Sequence, residues 1–187
     1  MIYVVNGAAG AGKTTFEKNI KDIVGGSCYI LSTIDPIKDI ARSLGWDGKK
    51  DLKSRKFLSD LKDLLTEYND YSFNYIQNEV VKIKDFYAGY DFIPTIFVDC
   101  REPKEIKKLC DRLGAKSLLI RRASAENAET SNHADAEVLN YNYDIVVEND
   151  GDLREFAYTA FEFVEDEHLP KRSNHLTVNL FGEIINE

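Results

Sequence analysis

The sequence predicts an α/β fold with a mostly parallel sheet and helices on both faces. Three observations predict it. Short β-favouring runs at residues 2–5, 27–32, 95–99, 116–120 and 144–148 alternate with segments of helical period. The first run is continuously apolar, as in strands buried on both faces of a parallel sheet. The length of 187 residues, 43% of them hydrophobic and 11% aromatic, suits one domain with a real core and would cramp two.

The elements follow in order. After the strand at 2–5 and a glycine-rich turn, residues 14–24 read as a helix that Gly25-Gly26 stops. A second strand spans 27–32. Pro36 suits the first turn of a helix running to about residue 44, which Gly45 ends. Between residues 48 and 90 the pattern becomes helical throughout. Phe57, Leu58, Leu61, Leu64, Leu65 and Tyr68 share one face, and Phe73, Ile76, Val80, Ile83 and Tyr87 share another. Asn69-Asp70 separates them, so an antiparallel helical hairpin inserted between strands is expected. Residues 95–99 form the third strand. Pro103 opens a helix with Ile106, Leu109, Cys110 and Leu113 inward, and Gly114 closes it. A fourth strand covers 116–120. Residues 121–135 are polar and weakly patterned, which suits a mobile loop or short helices. A fifth strand at 144–148 and an amphipathic helix at 152–165 follow. Beyond Pro170, the alternation of Leu176, Val178 and Leu180 permits an added edge strand.

Charge and cysteine content narrow the function classes. Twenty-four basic against 32 acidic residues leave a net charge of −8, which argues against a protein that grips nucleic-acid backbone. Cys28, Cys100 and Cys110 form an odd set without a CxxC pair, so neither a disulfide framework nor a structural zinc site is expected. The first residues carry no basic leader pattern, and no apolar run approaches the ~20 residues of a membrane span. A cytoplasmic protein without membrane or nucleic-acid partners, monomeric or homodimeric, is the expectation.

The sharpest motif is Gly7-Ala8-Ala9-Gly10-Ala11-Gly12-Lys13-Thr14, a full match to GxxxxGK[ST] between a predicted strand and a predicted helix. Small residues let the backbone curl around an anion, and successive N–H groups with the helix N-terminus point at phosphate oxygens. These residues and the adjoining Thr15 are the candidate cofactor-binding set. Lys13 would reach the β- and γ-phosphates of ATP, and Thr14 would offer its hydroxyl to Mg²⁺. The fold class thereby sharpens to a three-layer P-loop NTPase fold with a five-stranded sheet, a helical insertion and a lid. A guanine-reading NKxD is absent from the sequence. The apolar run Ile96-Phe97-Val98 ends in a single acid, Asp99, which either holds Mg²⁺ through water or caps the following helix. Short length and a helical insertion favour a small-molecule kinase over a motor.

A phosphate acceptor belongs near the carboxyl ends of the strands. Asp35 and Lys38 follow the second strand. Asp35 is either a hydroxyl-binding group, and a base for an alcohol, or a helix cap; Lys38 either faces phosphate or is solvated. Residues 49–56 hold five cations, Lys49, Lys50, Lys53, Arg55 and Lys56, at a helix start where they oppose the helix dipole. They bind an anion or form a solvated face, with Arg55 the best single candidate because guanidinium grips phosphate bidentately. Arg101 stands at the end of the third strand, as an anion binder or a salt-bridge partner of Glu102 or Glu105. Arg121 and Arg122 open the polar segment and would neutralise charge on a transferred phosphoryl group after lid closure, or remain solvated. His133 and Glu137, four apart, suit a lid hinge or a local pair.

Several segments together resemble the phage-type deoxynucleoside monophosphate kinases. They are residues 7–14, Asp35-Pro36-Ile37-Lys38, Asp99-Cys100-Arg101-Glu102-Pro103-Lys104-Glu105-Ile106, Asn132-His133-Ala134-Asp135-Ala136-Glu137 and Asp144-Ile145-Val146-Val147-Glu148-Asn149-Asp150-Gly151. The resemblance implies an adenylate-kinase-like P-loop fold and transfer of the ATP γ-phosphate to a nucleoside or deoxynucleoside monophosphate. It implies that Lys13 and Thr14 serve ATP and Mg²⁺. Asp35, Lys38, Arg55 and Arg101 would lie near the acceptor, Arg121 and Arg122 would serve the lid, and Asn149 would fall near the adenine. Dephospho-coenzyme A kinases are similar in fold and in the Asp-to-Asn-Asp-Gly ending. One domain over 1–187 is expected, with an acceptor-binding insertion at 48–90 and a lid-like segment at 121–137.

Overall fold

Strand β1 (Ile2–Asn6) is buried at every position and forms the centre of the molecule. The computed structural model describes residues 1–126 and 138–171, together with the short strands at 176–178 and 184–186. Among these, β1 is joined by β2 (Cys28–Ser32), β3 (Thr95–Asp99), β4 (Lys116–Arg121) and β5 (Ile145–Glu148) in the order β2-β3-β1-β4-β5. Every pairing in this five-stranded sheet is parallel.

The pleat sends alternate side chains of β1 into two separate cores. Tyr3 and Val5 meet Phe16, Ile20 and Ile23 of α1 (Lys13–Val24), and Phe156, Ala160 and Phe163 of the last helix. Ile2 and Val4 meet Phe73, Ile76, Val80 and Ile83 of α4 (Tyr71–Tyr87), and Ile106 and Leu109 of α5 (Pro103–Leu113). Full burial of each such side chain contributes about 1.5–3 kcal/mol, so both faces of the sheet must be covered. On the first face the rings of Tyr3, Phe97, Phe16 and Phe163 pack at centroid distances of 5.2–5.4 Å between neighbours. The Tyr3 hydroxyl donates to Glu167 at 2.7 Å, tying the end of that last helix to the sheet.

Local signals set the helix ends. Pro36 lies in the first turn of α2 (Asp35–Ser43) and Pro103 in that of α5. The 18-residue α3 (Leu52–Asn69) starts at Asp51, whose carboxylate accepts the Ser54 N–H at 2.7 Å. It stops at Asp70, held at φ 54° in the left-handed region, and α4 begins at the next residue. After β4 come α6 (Ala123–Glu126), then β5 and α7 (Leu153–Asp166), which opens on a capping box between Asp152 and Glu155. No described helix is long and apolar enough to cross a membrane.

Three expectations need correction. The apolar face expected of α3 is not buried: Leu58, Leu61 and Leu65 are half-buried, and Phe57, Leu64 and Tyr68 are exposed. Helical period marks an amphipathic helix, but the face that docks depends on the neighbour's chemistry. Here Lys62 is the buried residue of α3. The tail strand β6 (Leu176–Val178) does not extend the main sheet; it pairs antiparallel with β7 (Ile184–Asn186). Arg121 belongs to β4 rather than to the polar segment, because it continues the β5 ladder opposite Glu148.

Candidate active site

The connections after β1 and β3 leave the sheet toward opposite faces, one into α1 and the other into α5. Adjacent parallel strands whose exits diverge open a crevice at their carboxyl ends, where ligands of such sheets bind. The register pairs Val5 and Ser32 each with Asp99, so the ends of β1, β3 and β2 lie level there.

The loop between β1 and α1 is shaped for an anion. The Asn6 carboxamide oxygen accepts the Gly7 N–H at 2.8 Å, and the Ala11 N–H reaches the Ala8 carbonyl at 3.1 Å. A Cβ on Gly7 would strike the Ile120 carbonyl oxygen, and one on Gly12 would strike the Asn149 amide nitrogen. Gly12 also needs φ 104°, which side-chain-bearing residues avoid. The N-terminus of α1 has no side-chain cap and no acid in its first turn, so its leading N–H groups and positive dipole end face the loop. Thr14 is exposed on that turn and Thr15 half-buried. The Lys13 ammonium donates to the carbonyls of Gly7 and, at 3.4 Å, Ala8.

Asp99 stands at the end of β3 beside this loop, and its Oδ1 is buried with no hydrogen-bond partner among the described residues. Burial pushes its carboxyl above the ordinary range; Lys13 and Arg101 pull it back, Asp35 pushes it further and Lys38 opposes. The four predicted residues Lys13, Asp35, Lys38 and Arg101 therefore share one electrostatic neighbourhood with Asp99. Asp35 and Lys38 form an ion pair at 2.8 Å on the first turn of α2.

The other predicted residues occupy different surroundings. Asn149 is buried, donates its side-chain amide to the Ala11 carbonyl at 2.8 Å, and gives its backbone N–H to Arg121 at 2.7 Å. It braces the phosphate loop. Arg121 is exposed at the end of β4, with Nη1 3.5 Å from Glu148; Arg122 is half-buried. The lid-like segment is described as far as residue 126, and His133 and Glu137 lie outside the described residues. Arg55 is exposed on the first turn of α3, its Nε donating to the Lys50 carbonyl at 3.0 Å. Two other cations of that run have acidic partners, Lys49 with Asp47 at 2.5 Å and Lys56 with Asp60 at 2.7 Å.

Two site residues escaped the sequence reading. Glu17, one turn beyond Lys13, is 1% exposed and its Oε1 has no partner among the described residues. Burial first, and then the Asp99 charge, push its carboxyl up to about 8 against the pull of Lys13. Its signal was an acid on the apolar face of α1, among Phe16, Ile20 and Val24. Asn6, fully buried, is the second. Besides holding Gly7, its amide reaches the Arg101 carbonyl at 3.1 Å and the Tyr143 hydroxyl at 2.8 Å, and Tyr143 donates to the Val138 carbonyl at 2.8 Å. That chain of bonds links the phosphate loop, the Arg101 segment and the return from the lid-like region. Nothing in a strand-end Asn announces it.

The sulfur of Cys100 and carboxylate oxygens of Glu102 and Glu105 lie within 4.8 Å of one another. The cation among them is the Lys62 ammonium, bonded to both glutamates at 2.6 and 2.7 Å. Burial and the neighbouring glutamates drive the Cys100 thiol well above its ordinary range, so it is a poor metal ligand.

No family model matches the chain, and no curated protein matches it. Solved structures are similar at low identity. A sugar kinase from Janibacter sp. HTCC2649 matches with TM-score 0.45 and 14% identity over 88% of this chain and 94% of that one. A gluconokinase from Sinorhizobium meliloti matches with TM-score 0.39 and 12% identity over 89% and 94%. An APS kinase from Mycobacterium tuberculosis matches with TM-score 0.37 and 12% identity over 88% and 96%. The α/β P-loop NTPase fold itself rests on this chain's own parallel strand order and on the Gly7–Thr14 loop between its central strand and α1.

Proposed function

We propose that this protein is a cytoplasmic ATP-dependent kinase that phosphorylates a nucleoside or deoxynucleoside monophosphate. One observation carries the reading: Lys13, Arg101, Asp35 and Lys38 all act on the buried Asp99 carboxyl at the end of β3, and Asp35 and Lys38 are ion-paired. A nucleotide-binding loop alone needs no such second polar group. The resemblance to deoxynucleoside monophosphate kinases at these positions supports the choice of acceptor.

The chain's residues fit ATP and Mg²⁺. Gly7 and Gly12 leave a cradle that a Cβ would fill, and the orphaned Asp99 Oδ1 offers a buried anionic acceptor. Thr14 and, through water, Asp99 would hold Mg²⁺, whose charge would offset that on the transferred group. The loop amides bind the phosphates. Lys13 exchanges the Gly7 and Ala8 carbonyls for phosphate oxygens. Lys38 and Arg101, with Arg55 from the insertion, bind and orient the acceptor anion, and Asp35 positions a sugar hydroxyl. Arg121 at the end of β4 and Arg122 directly after it bring positive charge. Asn149 acts on the nucleotide through the loop it braces. Positioning and charge neutralisation are sufficient, since phosphoryl transfer to a phosphate needs no strong base.

Coupled ADP release across nucleoside monophosphates, deoxynucleoside monophosphates and dephospho-coenzyme A tests the proposal. Lys13→Ala is expected to lower turnover by roughly two to three orders of magnitude with the circular dichroism spectrum unchanged. Wild-type turnover in that variant would sink the mechanism. A hydroxyl-bearing metabolite is the second reading, favoured by the Asp35 carboxylate, which would then act as base; turnover with dephospho-coenzyme A alone would select it. ATP binding without acceptor-dependent ADP release would mark a non-catalytic nucleotide-binding regulator.

A further inference from the structure

Helix α3 docks by charge. Its apolar side chains Leu52, Leu64 and Tyr68 are 63–81% exposed, whereas Lys62, midway along it, is 8% exposed. The Lys62 ammonium bonds Glu102 Oε2 at 2.6 Å and Glu105 Oε2 at 2.7 Å, and reaches Thr33 Oγ1 at 3.4 Å. Glu102 directly follows Arg101, and Glu105 lies in the first turn of α5. Three residues further along α5, Lys108 makes the opposite pairing, 2.6 Å to Asp70, with its ammonium 4.5 Å above the Phe73 ring centre. Asp70 is the left-handed joint between α3 and α4. Helix α5 thus offers an acid to the body of α3 and a base to its joint. That alternation of sign permits one seating of α3 and penalises a slipped one.

A buried ion pair is a weak way to stabilise a helix, because desolvation offsets most of the Coulomb attraction. An apolar stripe would serve stability better, and α3 has one of which it leaves Phe57, Leu64 and Tyr68 exposed and buries no residue fully. Directional bonds instead specify position. We propose that Lys62 is a positioning residue: the Lys62–Glu102–Glu105 cluster, seconded by Lys108–Asp70, fixes the helical insertion against the segment bearing Asp99 and Arg101 and thereby sets the acceptor-binding wall. The cluster has a second effect. Lys62 neutralises two carboxylates that would otherwise stand next to Arg101 and repel an anionic acceptor. This inference rests on the kinase reading for its consequence in turnover, but the clamp itself is a property of the fold.

Two measurements on the full chain test it separately. In Lys62→Met, amide hydrogen exchange across α3 is expected to accelerate while β1 and α1 keep wild-type protection. In turnover, the acceptor KM is expected to rise at least about tenfold, with kcat within about threefold and the KM for ATP unchanged. Lys62→Arg, which can bridge both carboxylates, is expected to return the acceptor KM to within about threefold of wild type. Asp70→Asn keeps a residue that tolerates the left-handed joint while removing the Lys108 ion pair, and should give a smaller rise in the same direction. Unchanged exchange in α3 overturns the clamp. Equal losses for ATP and acceptor in Lys62→Met, unrescued by Lys62→Arg, show a general structural role and overturn the positioning claim. If the wild type phosphorylates nothing in the panel, the kinase reading fails, and the exchange data still decide the clamp.

Discussion

Glu17 lies one helical turn past the lysine that defines the phosphate loop, in a setting that disfavours its charged form. Its carboxyl titrates near 8 in the folded protein, against 4.5 ordinarily. Between those values the native state keeps a proton that the unfolded chain has released. Stability from this group is therefore present at low pH and lost as pH rises through about 8. Glu17→Gln has no such titration. Its stability relative to wild type, measured by denaturant unfolding, should be near zero difference at pH 5 and grow in the variant's favour toward pH 8. A difference independent of pH would show that Glu17 is ionised throughout. Lys13 and Thr14 were legible in the sequence because their chemistry is local: the loop's small residues, the lysine and the helix start are contiguous. Glu17 and Asn6 were not. Their importance comes from burial beside residues about 80 or more positions away, Asp99 for one and Arg101 and Tyr143 for the other.

At the scale of elements, α3 and α4 carry similar helical periodicity and opposite outcomes. Ile76 of α4 is fully buried against Val4, Ile96 and Val98, whereas Leu64 of α3 is exposed. Ile76→Ala should destabilise the protein by about 2–5 kcal/mol through lost transfer energy and a cavity. Leu64→Ala should stay within about 0.5 kcal/mol. Urea unfolding of both variants checks the pair, and a large loss from Leu64→Ala would mean that the α3 stripe is covered in solution. The existence and type of each core helix and strand were readable from period, proline and glycine. Which face of an insertion docks was not, because two amphipathic helices with similar patterns can meet a neighbour through carbon or through charge.

The whole molecule places its chemistry by topology. Its net charge of −8 coexists with Lys13, Lys38 and Arg101 all acting on the one buried Asp99 carboxyl, since a total charge carries no positions. Among the described residues the last core residue in chain order is Leu169, and β6 and β7 pair with each other rather than with the main sheet. A chain ending at Lys171 should therefore keep its thermal midpoint within about 2 °C and retain ATP binding, as calorimetry and a nucleotide titration can show. A drop well beyond that would place the tail in the core's support.

The sequence by itself determined the elements, the phosphate loop and the α/β class, because these depend on side-chain period and on contacts within a few residues. Only the tertiary structure decided that β3 lies beside β1, which brings Asp99 to the loop, and that Lys62 rather than a leucine stripe seats the insertion. It also decided that Asn149 and Asn6 brace the loop from opposite ends of the chain. Each of these depends on which segments meet across the sheet. Burial and hydrogen-bond partners are properties of those meetings, and a linear order of residues does not contain them.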